Sequence, residues 1–241
     1  MLVLTLVAPL LTTNCYVLAA AKGSECLVVD AGAGAAQEVE RVVAEHGLRP
    51  VAVAATHGHV DHLWDAGRVC ARYGVPFLVH ERDAHRLADP LGTLGPMGAA
   101  LDLDPAEHLP PERVEVVRTP HRGAARLEVA GLPLTWLHAP GHTQGASLLS
   151  VPRAPGPGSR LDLAEWVPAG AHPARTVLSG DVLFAGTVGR TDLPGGDAAE
   201  MSATIDEQLS RLPHDTLVLP GHGPATWLEV EYRRNPFLAV H

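Results

Sequence analysis

Positions 57–62 hold His57-Gly58-His59-Val60-Asp61-His62, three imidazoles and a carboxylate in one short stretch. The cluster follows the apolar run Val51-Ala52-Val53-Ala54-Ala55, which reads as a β-strand delivering metal ligands into a loop. In extended chain His57 and His59 share a face and can grip one ion. Asp61 and His62 lie beyond a turn and can address a second. With 14 His in the chain, the plain alternative is a polar surface loop. Random placement, however, seldom puts H-x-H-x-D-H at the end of an apolar strand.

Three more donors follow other apolar runs: His142, Asp181 and His222. Each is preceded by a glycine (Gly141, Gly180, Gly221), which lets backbone pass close to an ion or substrate. Any one of them alone would read as a turn residue or a satisfied histidine. Their recurrence at strand ends, where α/β proteins gather functional groups, gives them weight. Seven nitrogen and oxygen donors without a thiolate suit one or two ions of the zinc, iron or manganese kind. One arrangement fits the spacing: His57, His59 and His142 on the first ion, Asp61, His62 and His222 on the second, Asp181 bridging. Two ions about 3.5–4 Å apart lower the pKa of a shared water to about 7 and polarise a carbonyl. That is metal-assisted hydrolysis, and no G-x-S-x-G motif points to a serine nucleophile instead.

The elements that must position these donors are legible in outline. Residues 2–10, 15–20 and 25–29 read as strands, the last ending at Asp30. A helix is expected over 35–46 and another over 63–73, the latter capped by Gly74. Strand 75–80 and a short helix 81–88 precede a Pro- and Gly-rich stretch, 89–126, with one strand at 114–117. A loop of that length tends to be a lid or binding loop. A hairpin around Gly131 (127–130 and 132–138), strands 146–151, 176–179 and 216–219, and a helix over 197–212 capped by Asp197 complete the set. Residues 152–175 read as a surface insertion. Strands and helices fall into two similar halves, before and after about residue 115.

Composition bounds the rest. The 241 residues suit one domain, 1–241. Hydrophobic content is 46%, with nothing approaching the roughly 18 apolar residues of a membrane span. The apolar start lacks a basic region and is broken by Thr12-Thr13-Asn14, so it reads as core strand rather than export signal. Net charge is −9, which offers phosphate backbones little and argues against a nucleic-acid role. Cys15, Cys26 and Cys70 form no C-x-x-C pair, so a reducing, cytoplasmic setting is expected. Gly32-x-Gly34 after a strand resembles a dinucleotide fingerprint. Gln37 occupies the third glycine position, and no acid ends the next strand, so that reading is set aside.

Taken together, T-H-G-H-V-D-H at 56–62, A-P-G-H-T at 139–143, S-G-D at 179–181 and P-G-H-G at 220–223 resemble the metallo-β-lactamase superfamily. The match runs from about residue 14 to 222. It implies an α/β fold of the four-layer αββα kind, with metals at one edge of paired sheets and the ligand pairing set out above. Within the superfamily, G-D-V-L-F at 180–184, G-R-T-D at 189–192 and R-R-N-P-F at 233–237 resemble the short bacterial glyoxalase II-like branch. This implies hydrolysis of a small-molecule S-(2-hydroxyacyl) thioester, typically S-lactoylglutathione, with two divalent ions, zinc foremost. Asp61 and Asp181 would be the catalytic carboxylates, and Arg190, Thr191 and Asp192 the substrate loop. Longer glyoxalase II enzymes carry a Tyr where Asp192 stands. Arg190 would clamp a substrate carboxylate or pair with Asp192, and Asp192 would orient a ligand histidine. G-R-T-D also occurs in the persulfide dioxygenase branch, a mononuclear iron alternative. Neither a nucleic-acid nor a membrane partner is expected, and oligomeric state is open.

Overall fold

The computed structural model describes residues 1–238. Strands β1 (Leu2–Ala8), β2 (Thr13–Ala19) and β3 (Glu25–Val29) lead into helix α1 (Ala35–His46), and β4 (Arg49–Ala54) into α2 (Val60–Leu63) and α3 (Ala66–Tyr73). Strand β5 (Phe77–His80), the one-turn α4 (Pro96–Ala99) and β6 (Val114–Val117) close the first half. The second half holds β7 (Ala124–Val129), β8 (Leu132–His138), β9 (Ser147–Val151), β10 (Arg175–Gly180) and the small ribbon β11 (Leu183–Phe184) and β12 (Thr187–Val188). Helix α5 (Ala198–Glu207), β13 (Thr216–Pro220), β14 (Thr226–Trp227) and α6 (Leu228–Arg234) follow. One six-stranded sheet has the order β1-β2-β3-β4-β5-β6, the other β14-β13-β10-β9-β8-β7. The division falls between β6 and β7, close to the expected residue 115.

The strands are apolar on both faces because both faces are covered. In β3, Cys26 and Val28 pack under α1 and α3, while Leu27 and Val29 face the opposite sheet. In β13, Leu217 and Leu219 face inward and Val218 packs outward with Met201, Ile205 and Leu228 of α5 and α6. The result is three apolar layers separating helix, sheet, sheet and helix, the αββα order expected. Trp136 sits fully buried in the middle layer, where truncation to Ala typically costs about 3–5 kcal/mol.

Several expected boundaries move. The first turn occupies 9–12, and Thr13 and Asn14 already belong to β2. The helix expected over 63–73 is broken at Trp64-Asp65. Asp65 N–H bonds to Ala31 O (2.9 Å), and its carboxylate accepts from Gly34 N and Ala36 N (2.9 and 3.0 Å), capping α1 instead. Residues 84–87 form a 3-10 turn rather than part of a helix, and the 197–212 helix ends at Glu207 with a 3-10 turn at 209–211. Asp197 does cap α5, accepting from Ala199 N and Glu200 N. Helix α6 lies where no helix was expected. The 152–175 insertion is anchored by bridges from Arg160 to Leu4 and from Leu163 to Ala225. Among the described residues no helix is long and apolar enough to cross a membrane.

The two sheets also meet through a pair of imidazoles. His80, last in β5, stacks on His138, last in β8, with ring centroids 4.4 Å apart and planes 3° from parallel. Each Nδ1 accepts a backbone N–H, from Arg82 (3.3 Å) and Arg122 (3.0 Å). Each Nε2 must therefore carry the hydrogen, donated to Thr119 Oγ1 (3.0 Å) and Gln144 O (2.8 Å). A second proton has no acceptor site left. Burial, then the neighbouring ring, pulls His80 down to about 4, and burial lowers His138 as well. The unfolded chain binds these protons near pH 6.5, where the folded pair refuses them. The pair's contribution is therefore complete above about pH 6.5 and is lost as pH falls toward 4. Urea midpoints measured from pH 7 to 4.5 should fall less steeply in His80→Gln than in the native chain; equal slopes would contradict this account.

Candidate metal centre

All four donor-bearing segments arrive at one edge of the paired sheets. The loop after β4 carries His57 and His59, and α2 carries Asp61 and His62. His142 follows β8, Asp181 follows β10, and His222 follows β13. Three sets of donor atoms lie within 4.8 Å of one another: His57, His59 and His142; Asp61, His62 and His222; and His57, His62 and Asp181. The structure thus brings together all seven residues expected from the sequence. Asp181 stands between the first two sets. Its Oδ1 is 3.3 Å from His62 Nε2, and its Oδ2 is 3.5 Å from His142 Nε2 and 3.4 Å from His222 Nε2.

The donors fit divalent cations on the structure's own terms. His142 Nε2 and His59 Nδ1 face each other at 2.9 Å, and His57 Nε2, His62 Nε2 and Asp181 Oδ1 are buried without a hydrogen-bond partner. Buried polar atoms without partners are costly, so three such atoms beside two ring nitrogens that face each other call for a ligand. Burial keeps His57 and His59 neutral, lowering both well below the usual imidazole range. Burial also opposes charge on Asp61 and Asp181, but the imidazoles around them win, with His62 foremost. Asp61 is held at about 2, and Asp181 well below the carboxylate range. Conversely, burial disfavours charge on His62 and His222, yet the carboxylates raise both, His222 to about 9. The cluster thus already holds protons as cations where a metal would replace them.

Close approach at this edge depends on glycine. At Gly180, φ is 47° and a side chain would strike Thr56; at Gly221 it would run into Asp181 Oδ1 and His62.

A second ring of partners orients the donors, and most of it was not evident from sequence. His142 Nδ1 bonds Arg190 O (2.8 Å), His222 Nδ1 bonds Leu11 O (3.1 Å), and His62 Nδ1 lies 3.1 Å from Asp30 Oδ2. Asp30 also accepts from Thr56 N and Oγ1 (2.7 and 2.8 Å), and Thr13 Oγ1 donates to Asp61 Oδ2 (2.9 Å). Such partners fix the tautomer, so that His142 and His222 turn Nε2 toward the centre. The role expected of Asp192 is corrected here. It is the backbone carbonyl of Arg190 that holds the ligand histidine, while the exposed Asp192 side chain pairs with Arg190 Nε and Nη2 (2.6 and 2.7 Å). Thr191 lies between them, half-buried.

Asp83 is the largest omission. Fully buried, it accepts from Gly58 N (2.8 Å) in the His57–His59 loop and from Thr143 Oγ1 (2.6 Å) and Gly145 N (2.8 Å) in the His142 loop. The buried Arg86 beside it donates to Gln144 Oε1 and Pro194 O (2.9 and 2.8 Å). One carboxylate therefore fixes two donor-bearing loops from opposite halves of the chain. A pocket of about 360 Å³ opens onto the donors, walled by Leu94, Met97 and Leu101 from the 89–126 stretch. No residue of 152–175 lines it.

An αββα sandwich with this donor cluster at its sheet edge defines a class of metal-dependent hydrolases. Residues 8–155 match the metallo-β-lactamase superfamily model, and the chain belongs to that superfamily. It is 37% identical to an uncharacterized protein of Mycobacterium leprae over 99% of both chains. It is 34% identical to the "Probable metallo-hydrolase YqgX" of Bacillus subtilis, over 89% of this chain and 87% of that one. Identity is 28% with the hydroxyacylglutathione hydrolase GloC of Haemophilus influenzae, over 88% and 86%. Among solved structures it is similar to the BLEG-1 B3 metallo-β-lactamase (TM-score 0.75, 27% identity, 98% and 99% covered). It is also similar to TTHA1623 in a di-iron-bound form (TM-score 0.70, 29% identity, 97% and 99% covered).

Asp83 touches none of the donor atoms, so its effect should appear in metal affinity before it appears in chemistry. Asp83→Ala should weaken metal binding by about 10–100-fold, the usual loss for an outer-shell partner. Competition with a chromogenic chelator measures it, and unchanged affinity in a folded variant would show the clamp to be dispensable.

Proposed function

We propose that this protein is a dinuclear metal-dependent thioesterase acting on S-(2-hydroxyacyl) thiols, with S-lactoylglutathione as the reference substrate. The observation that carries this reading is the Asp181 carboxylate, flanked by two complete three-residue donor sets. His57, His59 and His142 would hold one ion, Asp61, His62 and His222 the other, with Asp181 shared. Two such ions, zinc by donor type with iron or manganese as alternatives, would acidify a shared water and polarise the scissile carbonyl. The relative named hydroxyacylglutathione hydrolase supports the substrate class, and the di-iron neighbour supports two ions.

The chain's own residues do the rest. Asp61, ionised and held by Thr13, is placed to accept the proton released by the attacking water. The water oxygen adds to the thioester carbon, the C–S bond breaks, and the leaving thiolate takes back the proton that Asp61 accepted, giving thiol and hydroxy acid. Buried walls on both sides of the donors keep bulk water from competing for these charges.

Asp181→Asn should lower kcat for S-lactoylglutathione by at least about 100-fold, in line with the loss of a metal-held nucleophile, and reduce bound metal below two ions per chain. Chelator-stripped protein should be inactive and regain turnover with Zn2+, while benzylpenicillin should not be opened. Full activity without metal would sink the reading. One iron per chain with oxygen uptake on glutathione persulfide would replace it by the dioxygenase reading.

A further inference from the structure

Apart from Arg190, the pocket that opens onto the donors is apolar wherever the donors do not line it. Leu11, Leu94, Met97, Leu101, Phe184 and Leu193 converge on it from four separate segments: the turn after β1, the 89–126 stretch, the ribbon after Asp181, and the loop after β12. Leu11 is held there at φ 54°, followed by Thr12 at 55°. A leucine in the left-handed region is strained, and Leu11 is half-exposed rather than packed into the core. Backbone strain at a site usually reflects what the residue does there. Besides the donor histidines, Arg190 is the only cation among the described lining residues, and Asp192 already engages its guanidinium through two bonds.

A glutathione thioester carries two carboxylates and an ammonium, which need water or countercharges. The six apolar side chains of this wall supply no countercharge. A 2-hydroxyacyl group such as lactoyl is too small to fill about 360 Å³, which leaves the space to the thiol. Resting on the thioesterase reading above, we propose that the preferred leaving group is an uncharged, apolar thiol rather than glutathione. Hydrocarbon of the thiol would lie against the six apolar side chains, with sulfur next to the donors and Arg190 remaining paired with Asp192.

The test is a homologous series of S-lactoyl thioesters of ethanethiol, butanethiol and hexanethiol beside S-lactoylglutathione, assayed on the metal-loaded protein. Thiol acidity barely changes along the alkyl series, so intrinsic reactivity is constant and differences report burial. Each methylene placed against the wall should raise kcat/KM by roughly fourfold, the equivalent of 0.8 kcal/mol per buried CH₂. The hexyl thioester should exceed the glutathione thioester by at least tenfold. Met97→Ser, on the half-buried face of α4, should flatten the series while metal content and melting temperature hold. Metal-dependent turnover with a flat series, or with glutathione preferred, would overturn this inference and leave the thioesterase reading standing. No turnover of any thioester would remove both.

Discussion

Five imidazoles and two carboxylates cannot be packed into a dry space unless something positive sits among them. That electrostatic demand governs this protein. Asp61 and Asp181 stay ionised in spite of burial, and His57 and His59 stay neutral because of it. His57, His59 and the two carboxylates are thus already in the protonation state a cation needs, while His62 and His222 hold protons that a cation would displace. The framework around the cluster is correspondingly rigid. Strand ends deliver the donors, glycines at 180 and 221 let them close up, and backbone carbonyls of Arg190 and Leu11 fix two of the rings.

The donors were legible in the sequence because each obeys a local rule: an apolar run, a turn, then a ligand-type residue. Continuous apolar runs, the mark of strands covered on both faces, made most strands readable, and α1 and the Asp197 cap needed only local chemistry. What escaped was non-local. Asp83 reaches Thr143 and Gly145 across about 60 positions of sequence, and nothing in H-E-R-D marks it. Asp30 was visible as the end of a strand, but its bonds to Thr56 and its approach to His62 exist only in three dimensions. Helix 63–73 was overcalled because periodicity does not show that Asp65 is needed to cap a different helix.

The apolar wall of the pocket was hidden for another reason. Its leucines come from turns and a loop without periodicity, where apolar residues carry no pattern to read. G-R-T-D left Arg190 open to two readings, a clamp on substrate or a pair with Asp192; the structure spends its guanidinium on Asp192 and uses its carbonyl to steer His142, a role no motif marked.

Neither half of the chain owns an ion. Each three-residue set takes two donors from before residue 117 and one from after 124, and Asp83 bonds across the same divide. A metal bound there would therefore be a rivet between the two sheets. Severing the backbone at the 118–123 link would leave two fragments with incomplete coordination, each presenting one side of the middle apolar layer to water. Their recombination would then depend on metal, and ion uptake would report the meeting of two halves of a molecule.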